Sequence, residues 1–252
     1  MFESKNFTFI NEQGLKLAAT LEMPVNCDPK AYAIFAHCFG CGKDVLAATR
    51  ISRELTHEGL AVLRFDFTGI GASSGEFENT NFSTNVSDLV CAAKYLRDNY
   101  QAPKLLIGHS LGGAAAIVAS SLIPEVRAIA TIGTPSYPGH VSHLFTMKEG
   151  DEIAPIKIAG KELKIKKQFL EDVEKHDLAG ILKNSNCALL IFHSPTDQIV
   201  GITQARYLFE AAKHPKNFIS LDQADHMLSS REDAGFVARM IAIWARRYVC
   251  QK

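Results

Sequence analysis

The chain has 252 residues, of which 47% are hydrophobic, enough for one large α/β domain with a core that needs no staples. Lys and Arg number 27, Asp and Glu 27, so no basic excess points to nucleic acid or to an acidic membrane surface. The first residues, Met1 to Phe7, lack a basic region followed by an apolar run, and no apolar run reaches bilayer length, so a cytoplasmic location without membrane contact is expected.

In chain order, 6–10 and 15–21 alternate polar with apolar around a turn at Gly14, the pattern of an antiparallel hairpin. Short apolar runs follow at 31–37, 61–67, 104–109, 126–132, 188–193 and 217–221, mostly continuous in character, as strands buried on both faces are. Helical periods separate them at 45–58, 86–97, 111–122, 203–213 and 232–248. The helix at 86–97 places Val86, Leu89, Val90, Ala93 and Leu96 on one face, whereas 111–122 is apolar nearly all round and reads as buried. Alternation of this kind predicts a mostly parallel eight-stranded sheet with helices on both faces, in a single domain over 1–252. The stretch 134–186 breaks the rhythm. It leaves the C-terminal end of a central strand and contains a small hairpin pattern, Ile156–Ile158 and Leu163–Ile165 around Gly160, so about 135–186 is expected to be a cap insertion.

Six cysteines, Cys27, Cys38, Cys41, Cys91, Cys187 and Cys250, are scattered along a chain without a signal peptide and are read as thiols. Cys38-x-x-Cys41 lacks both a thioredoxin-like context and a second ligand pair, so neither redox catalysis nor a metal site is expected, and no cofactor.

Gly-x-Ser-x-Gly occurs twice, at Gly71–Gly75 and Gly108–Gly112, and context separates the two. A nucleophilic serine on this motif needs a strand directly before it and a helix directly after. Ser110 has both: Leu105-Leu106-Ile107 precedes it and Leu111 to Ile117 follows. Ser73 has neither, and its segment trails into a polar loop. Ligands of a parallel sheet gather beyond the C-terminal ends of its strands, so partners of Ser110 should follow other strands. Asp197 follows the 188–193 strand by the turn Ser194-Pro195-Thr196, and His226 follows the last strand by a loop. The order Ser110, Asp197, His226 is that of the α/β-hydrolase fold. Asp222 and Asp225 share the loop of His226 and are poorly placed to reach its far nitrogen. Of the other histidines, His37 and His193 sit at strand ends on the catalytic edge, His140 and His143 lie in the cap, and His176 is expected at the surface.

The expected chemistry is acyl transfer to Ser110 with His226 as base and Asp197 orienting it. The oxyanion is expected to meet the backbone amides of Leu111 and of Phe39, on the loop after the first parallel strand. Cys38, His140, His143, Leu144, Phe145, Ile199 and Val200 are the expected substrate wall.

Several stretches together carry a resemblance: Phe35-Ala36-His37-Cys38-Phe39, Leu63 to Gly69, Leu106 to Gly113, His193 to Asp197 and Ala224-Asp225-His226. They resemble the hydrolase half of bacterial proteins that fuse an α/β-hydrolase to an OsmC-like domain. The resemblance implies the same triad and a serine esterase activity on small to medium acyl groups. It also brings in an OsmC-like domain or protein as a partner, in a chain that is otherwise a monomer or homodimer. Cys38 stands where related esterases carry glycine after the histidine. Thioesterase, amidase or acyltransferase activity with the same triad, and a non-catalytic binding module, are the alternatives.

Overall fold

The structure is a computed structural model and describes residues 2–25, 27–144, 152–158 and 160–250. Ten strands and seven α-helices are described. The N-terminal hairpin is β1 (Phe2–Ile10) and β2 (Lys16–Pro24). Alternating elements follow: β3 (Ala31–Ala36), α1 (Leu46–His57), β4 (Leu60–Phe65), α2 (Phe82–Asn99), β5 (Pro103–His109), α3 (Leu111–Ser120) and β6 (Ala128–Ile132). A short 3-10 helix (Pro138–Leu144), β7 (Ile153–Ile158), β8 (Lys161–Lys166), α4 (Lys167–Val173) and α5 (Leu178–Asn184) lie between β6 and β9 (Ala188–His193). The chain ends on α6 (Thr203–Ala211), β10 (Lys216–Ser220) and α7 (Arg231–Val249).

Eight strands form one sheet in the order β1-β2-β4-β3-β5-β6-β9-β10. β1 and β2 pair antiparallel, and β2 meets β4 antiparallel; from β4 onward every pair is parallel. Successive side chains of a strand point to opposite faces, and the two cores follow from that. In β3, Tyr32, Ile34 and Ala36 face α2, α3, α5 and α6, whereas Ala31, Ala33 and Phe35 face α1 and α7. The expected eight strands are therefore present, with ends shifted by a few residues at most in the parallel part. β10 differs in character: as an edge strand it is largely exposed, and Phe218 is open to solvent.

Local chemistry sets the helix ends. α2 starts at Phe82, four residues before the apolar period suggests, because Asn81 accepts from the Thr84 amide and Thr84 reciprocates in a capping box. Ser230 caps α7, with Glu232 and Asp233 in its first turn and Arg246 and Arg247 in its last, each sign matched to the helix dipole. α3 is buried along its whole length, which its Gly- and Ala-rich sequence permits by letting strands approach closely.

β7 and β8 pair antiparallel as a separate two-stranded sheet, longer than the hairpin seen in the sequence. Ala154, Ile156, Ile165, Phe169 and Val173 join the core on the α2/α3 face. Asp172 of α4 accepts from both the amide and the hydroxyl of Ser83, at 2.7 and 2.8 Å, which ties α4 to the start of α2. His176 completes this contact, 3.0 Å from the Ser83 hydroxyl and edge-on to Phe82; it is half-buried rather than a surface residue, since the aromatic ring gives it a place to pack.

Candidate active site

Ser110 lies between the end of β5 and the start of α3, with φ 54° and ψ −127°. A left-handed φ is costly for a residue with a Cβ and persists only where its surroundings enforce it. They do so here: the Ser110 amide donates to the Ile132 carbonyl at 2.8 Å, and the Gly113 amide donates back to Ser110 at 2.9 Å. The glycines make the crossing of strand and helix physically possible. A Cβ on Gly108 would stand 2.4 Å from the Gly113 Cα, and one on Gly112 2.3 Å from the His37 carbonyl oxygen. Ser73, on the second copy of the motif, has a structural task instead. Its hydroxyl donates to the Asp66 carbonyl and accepts from the Ala18 amide, pinning the turn after β4 to β2.

Asp197 follows β9 and is buried. One carboxylate oxygen accepts from the Ile199 and Val200 amides at 2.8 and 2.9 Å; the other takes the His226 Nδ1 hydrogen bond at 2.7 Å. Burial alone would raise the Asp197 pKa, but the His226 hydrogen bond and charge and the two amides outweigh it and hold the carboxyl below its usual value. With Nδ1–H committed to Asp197, the lone pair of His226 is on Nε2. Asp225 is engaged otherwise, accepting from the Ser229 amide at 2.8 Å within its own loop.

Two further histidines support this pair. His109, fully buried, donates Nε2–H to the His226 carbonyl at 2.7 Å. Burial, with the charge of His226 added, depresses its pKa to about 4, so it is neutral. His193 donates to the Val200 carbonyl at 2.7 Å and is also lowered by burial. Sequence reasoning put His193 on the correct edge but missed His109. It also missed Gly133, whose φ of 54° brings its backbone against the pair: a Cβ there would stand 3.3 Å from both Asp197 Oδ2 and His226 Nδ1.

The loop after β3 carries the main correction. Cys38 and Cys41 are not thiols but a disulfide. The Cys41 amide donates to the Cys38 carbonyl at 3.2 Å and Gly40 takes φ 66°, the marks of a type II turn, which brings the two Cα atoms to 5.4 Å. The pairing thus depends on a local turn that spacing alone does not reveal. Beyond the turn, the Lys43 amide donates to Asp66 at 2.6 Å and Arg64 donates to the Lys43 carbonyl at 2.8 Å. Arg64 is held in turn by the buried Glu22, at 2.5 Å.

Ser110 and His226 open onto one cavity of about 320 Å³. Of the expected wall, Cys38, His140, Ile199 and Val200 line it, as does Phe39, and His140 reaches the Ile199 carbonyl at 3.1 Å. His143 and Leu144 end the 3-10 helix, and Phe145 lies outside the described residues. Cys41, Pro135, Val141, Lys157, Ile158 and Met227 are lining residues that the sequence did not single out. Leu111 opens α3, where a first-turn amide has no partner within the helix. A larger groove, about 870 Å³, lies by the C-terminal end of α3 and contains none of these groups. Among the described residues no helix is long and apolar enough to cross a membrane.

A serine on a strand–helix elbow, beside a buried Asp–His pair at the C-terminal edge of a parallel sheet, defines the α/β-hydrolase class. The chain belongs to this family of serine hydrolases. The serine aminopeptidase S33 hydrolase family matches residues 28–148. The esterase domain of a Rhodothermus marinus protein is 51% identical over 98% of this chain and 99% of its own, with a TM-score of 0.83. Est1E from Butyrivibrio proteoclasticus, solved with ferulic acid bound, shares the fold at 17% identity, covering 97% of this chain and all of its own, with a TM-score of 0.85. The mitochondrial palmitoyl-protein thioesterase ABHD10 of Mus musculus is 26% identical over 76% of this chain. The chain spans 66% of the length of that mouse protein and 53% of its Homo sapiens counterpart.

Proposed function

We propose that the chain hydrolyses carboxylic esters of small to medium acyl groups through an acyl-enzyme on Ser110. The observation that carries this reading is the 2.7 Å bond from His226 to Asp197 on the cavity that also holds Ser110. Asp197 fixes the imidazole tautomer, so Nε2 takes the Ser110 proton as the hydroxyl attacks the carbonyl carbon. The oxyanion points to the Phe39 and Leu111 amides, with the positive end of the α3 dipole behind it. His226 then gives its proton to the leaving alcohol, and a water activated by the same nitrogen releases the acid. A cavity of about 320 Å³ is at the small end of ligand pockets, which favours short acyl chains. Esterase activity is also the description of the Rhodothermus relative. A thioester substrate is the second reading, favoured by the mouse and human thioesterases, and it uses the same groups.

The test is a fluorophosphonate probe on the purified protein beside Ser110→Ala, with turnover of aryl esters and acyl thioesters of increasing chain length. Labelling at Ser110 and ester turnover that falls by at least about 10⁴-fold in the variant are expected. Labelling with thioester turnover alone moves the second reading to first place. A folded protein that takes no label at Ser110 ends the assignment.

A further inference from the structure

We propose that the Cys38–Cys41 disulfide positions the Phe39 oxyanion amide and that its reduction by a small dithiol lowers the acylation rate; this rests on the reading of Ser110 as nucleophile. The covalent bond closes the turn at whose second position Phe39 stands. An amide at that position takes no part in the turn's own hydrogen bond, so its direction follows the turn's shape. His37 steadies one end, 2.8 Å from the Cys38 carbonyl, and Asp66 holds the other through the Lys43 amide. The middle has no hydrogen-bond tie among the described contacts and is seated by packing, the Phe39 ring lying 5.5 Å from that of Phe77 and 5.1 Å from that of Phe169 between centroids. Gly40 instead lies against the cap, where a Cβ would stand 3.0 Å from Ile158. The disulfide is thus the one covalent restraint on the segment that bears the donor.

Both cysteines are shielded from bulk solvent, at 4% and 3% exposure, yet both line the cavity next to Ser110. The route for a reductant is therefore the substrate's own. A dithiol attacks one sulfur to give a mixed disulfide, and its second thiol displaces the other cysteine. Two electrons pass from the dithiol, which leaves as a cyclic disulfide, and its two protons end on Cys38 and Cys41. The freed sulfurs move apart to van der Waals contact, and the turn between them relaxes. Because the donor is displaced rather than deleted, the loss should fall below the roughly 10²- to 10³-fold of a missing oxyanion donor. A preorganised donor acts on the transition state, so kcat should fall while KM holds.

The experiment treats the folded protein with dithiothreitol, counts thiols by alkylation and mass under denaturing conditions, and follows kcat, KM and the rate of fluorophosphonate labelling. Four alkylated cysteines before reduction and six after are expected, Cys27, Cys91, Cys187 and Cys250 being the four outside the bond. With six, kcat and the labelling rate should both fall about tenfold with KM within about twofold, reoxidation should restore both, and prior labelling of Ser110 should slow reduction. The Cys38→Ser/Cys41→Ser pair should start slow and ignore dithiothreitol; if circular dichroism shows that it does not fold, the reduced wild-type protein carries the test. Six thiols with unchanged kcat and unchanged labelling rate overturn the inference while leaving the esterase reading intact. Six thiols in the protein as purified that mild oxidation does not reduce to four also overturn it. A loss shared between KM and melting temperature, with kcat constant, would show a merely structural bond. Absence of label at Ser110 in both redox states removes the esterase reading and this inference with it.

Discussion

His109 is buried completely, gives its only N–H to the His226 carbonyl, and leaves Nδ1 without a hydrogen-bond partner. A proton on that nitrogen has no hydrogen-bond acceptor; burial, with the charge of His226, outweighs the bond to the His226 carbonyl and the charge of Asp197, and the pKa falls to about 4 against about 6.5 in an unfolded chain. Between those values the unfolded state binds the extra proton. Stability is therefore fully present above about pH 6.5, is lost as pH falls through the window, and stops falling below about 4 on this account. At roughly 1.4 kcal/mol per pKa unit the loss is about 3 kcal/mol. Urea titrations at pH 7 and pH 5 should show His109→Gln with a flatter pH dependence than the wild type; equal slopes would mean that His109 does not report the burial described. His193 contributes with the same sign and should remain in the variant. Ser110, Asp197 and His226 were legible in the sequence because each follows a strand, and strand ends are what an apolar run marks. His109 and Gly133 were not, because their importance lies in contacts with a loop more than sixty residues away in the chain. The disulfide was hidden for a different reason: the pattern Cys-x-x-Cys specifies neither the positive φ of Gly40 nor the turn that it allows.

At the level of elements, the β5–α3 junction shows how one substitution takes opposite signs in two helices. Replacing a helix-interior glycine by alanine is worth about 1 kcal/mol when the methyl has room. Gly235 of α7 has room, since its nearest neighbour is the mobile end of Arg239 at 3.2 Å. Gly112 of α3 has none: the methyl would meet the backbone carbonyl oxygens of His37 at 2.3 Å and Ala36 at 2.5 Å. Overpacking of this kind costs about 1–3 kcal/mol, and here the obstacle is main chain at the end of β3. Gly235→Ala is expected to raise stability by up to about 1 kcal/mol and Gly112→Ala to lower it by about 2, as read from denaturant midpoints at constant slope. A Gly112→Ala protein as stable as the wild type would contradict the close crossing. The positions of these elements were readable from periodicity, but some of their ends were not. The start of α2 at Phe82 is set by the side chain of Asn81, and a polar residue outside the apolar stripe gives no periodic signal.

Across the molecule, the sheet separates two cores, and the described residues of the insertion between β6 and β9 add to only one of them. Ala154, Ile156 and Ile165 of the β7–β8 hairpin pack on the face covered by α2 and α3, so the hairpin is anchored by burial as well as by its two connections. The sequence marked this stretch because it breaks the strand–helix rhythm where a central strand ends. Which of its side chains reach the cavity could not be read there, since a two-stranded sheet seated on another core takes its orientation from that core. Ile158 links the β7–β8 hairpin to the cavity: it lines the cavity, and a Cβ on Gly40 would stand 3.0 Å from its side chain. On the esterase reading it stands where a lengthening acyl chain must pass. Trimming it to alanine removes apolar bulk, and apolar pockets discriminate by about 1–3 kcal/mol per methylene of fit. Ile158→Ala should therefore raise kcat/KM for octanoyl relative to butanoyl aryl esters by about tenfold, chiefly through KM. An unchanged ratio would place the acyl chain on the other wall, by Ile199 and Val200. A fall in kcat for both esters alike would mean instead that the methyls of Ile158 act on the reaction through Gly40 and the turn beneath it.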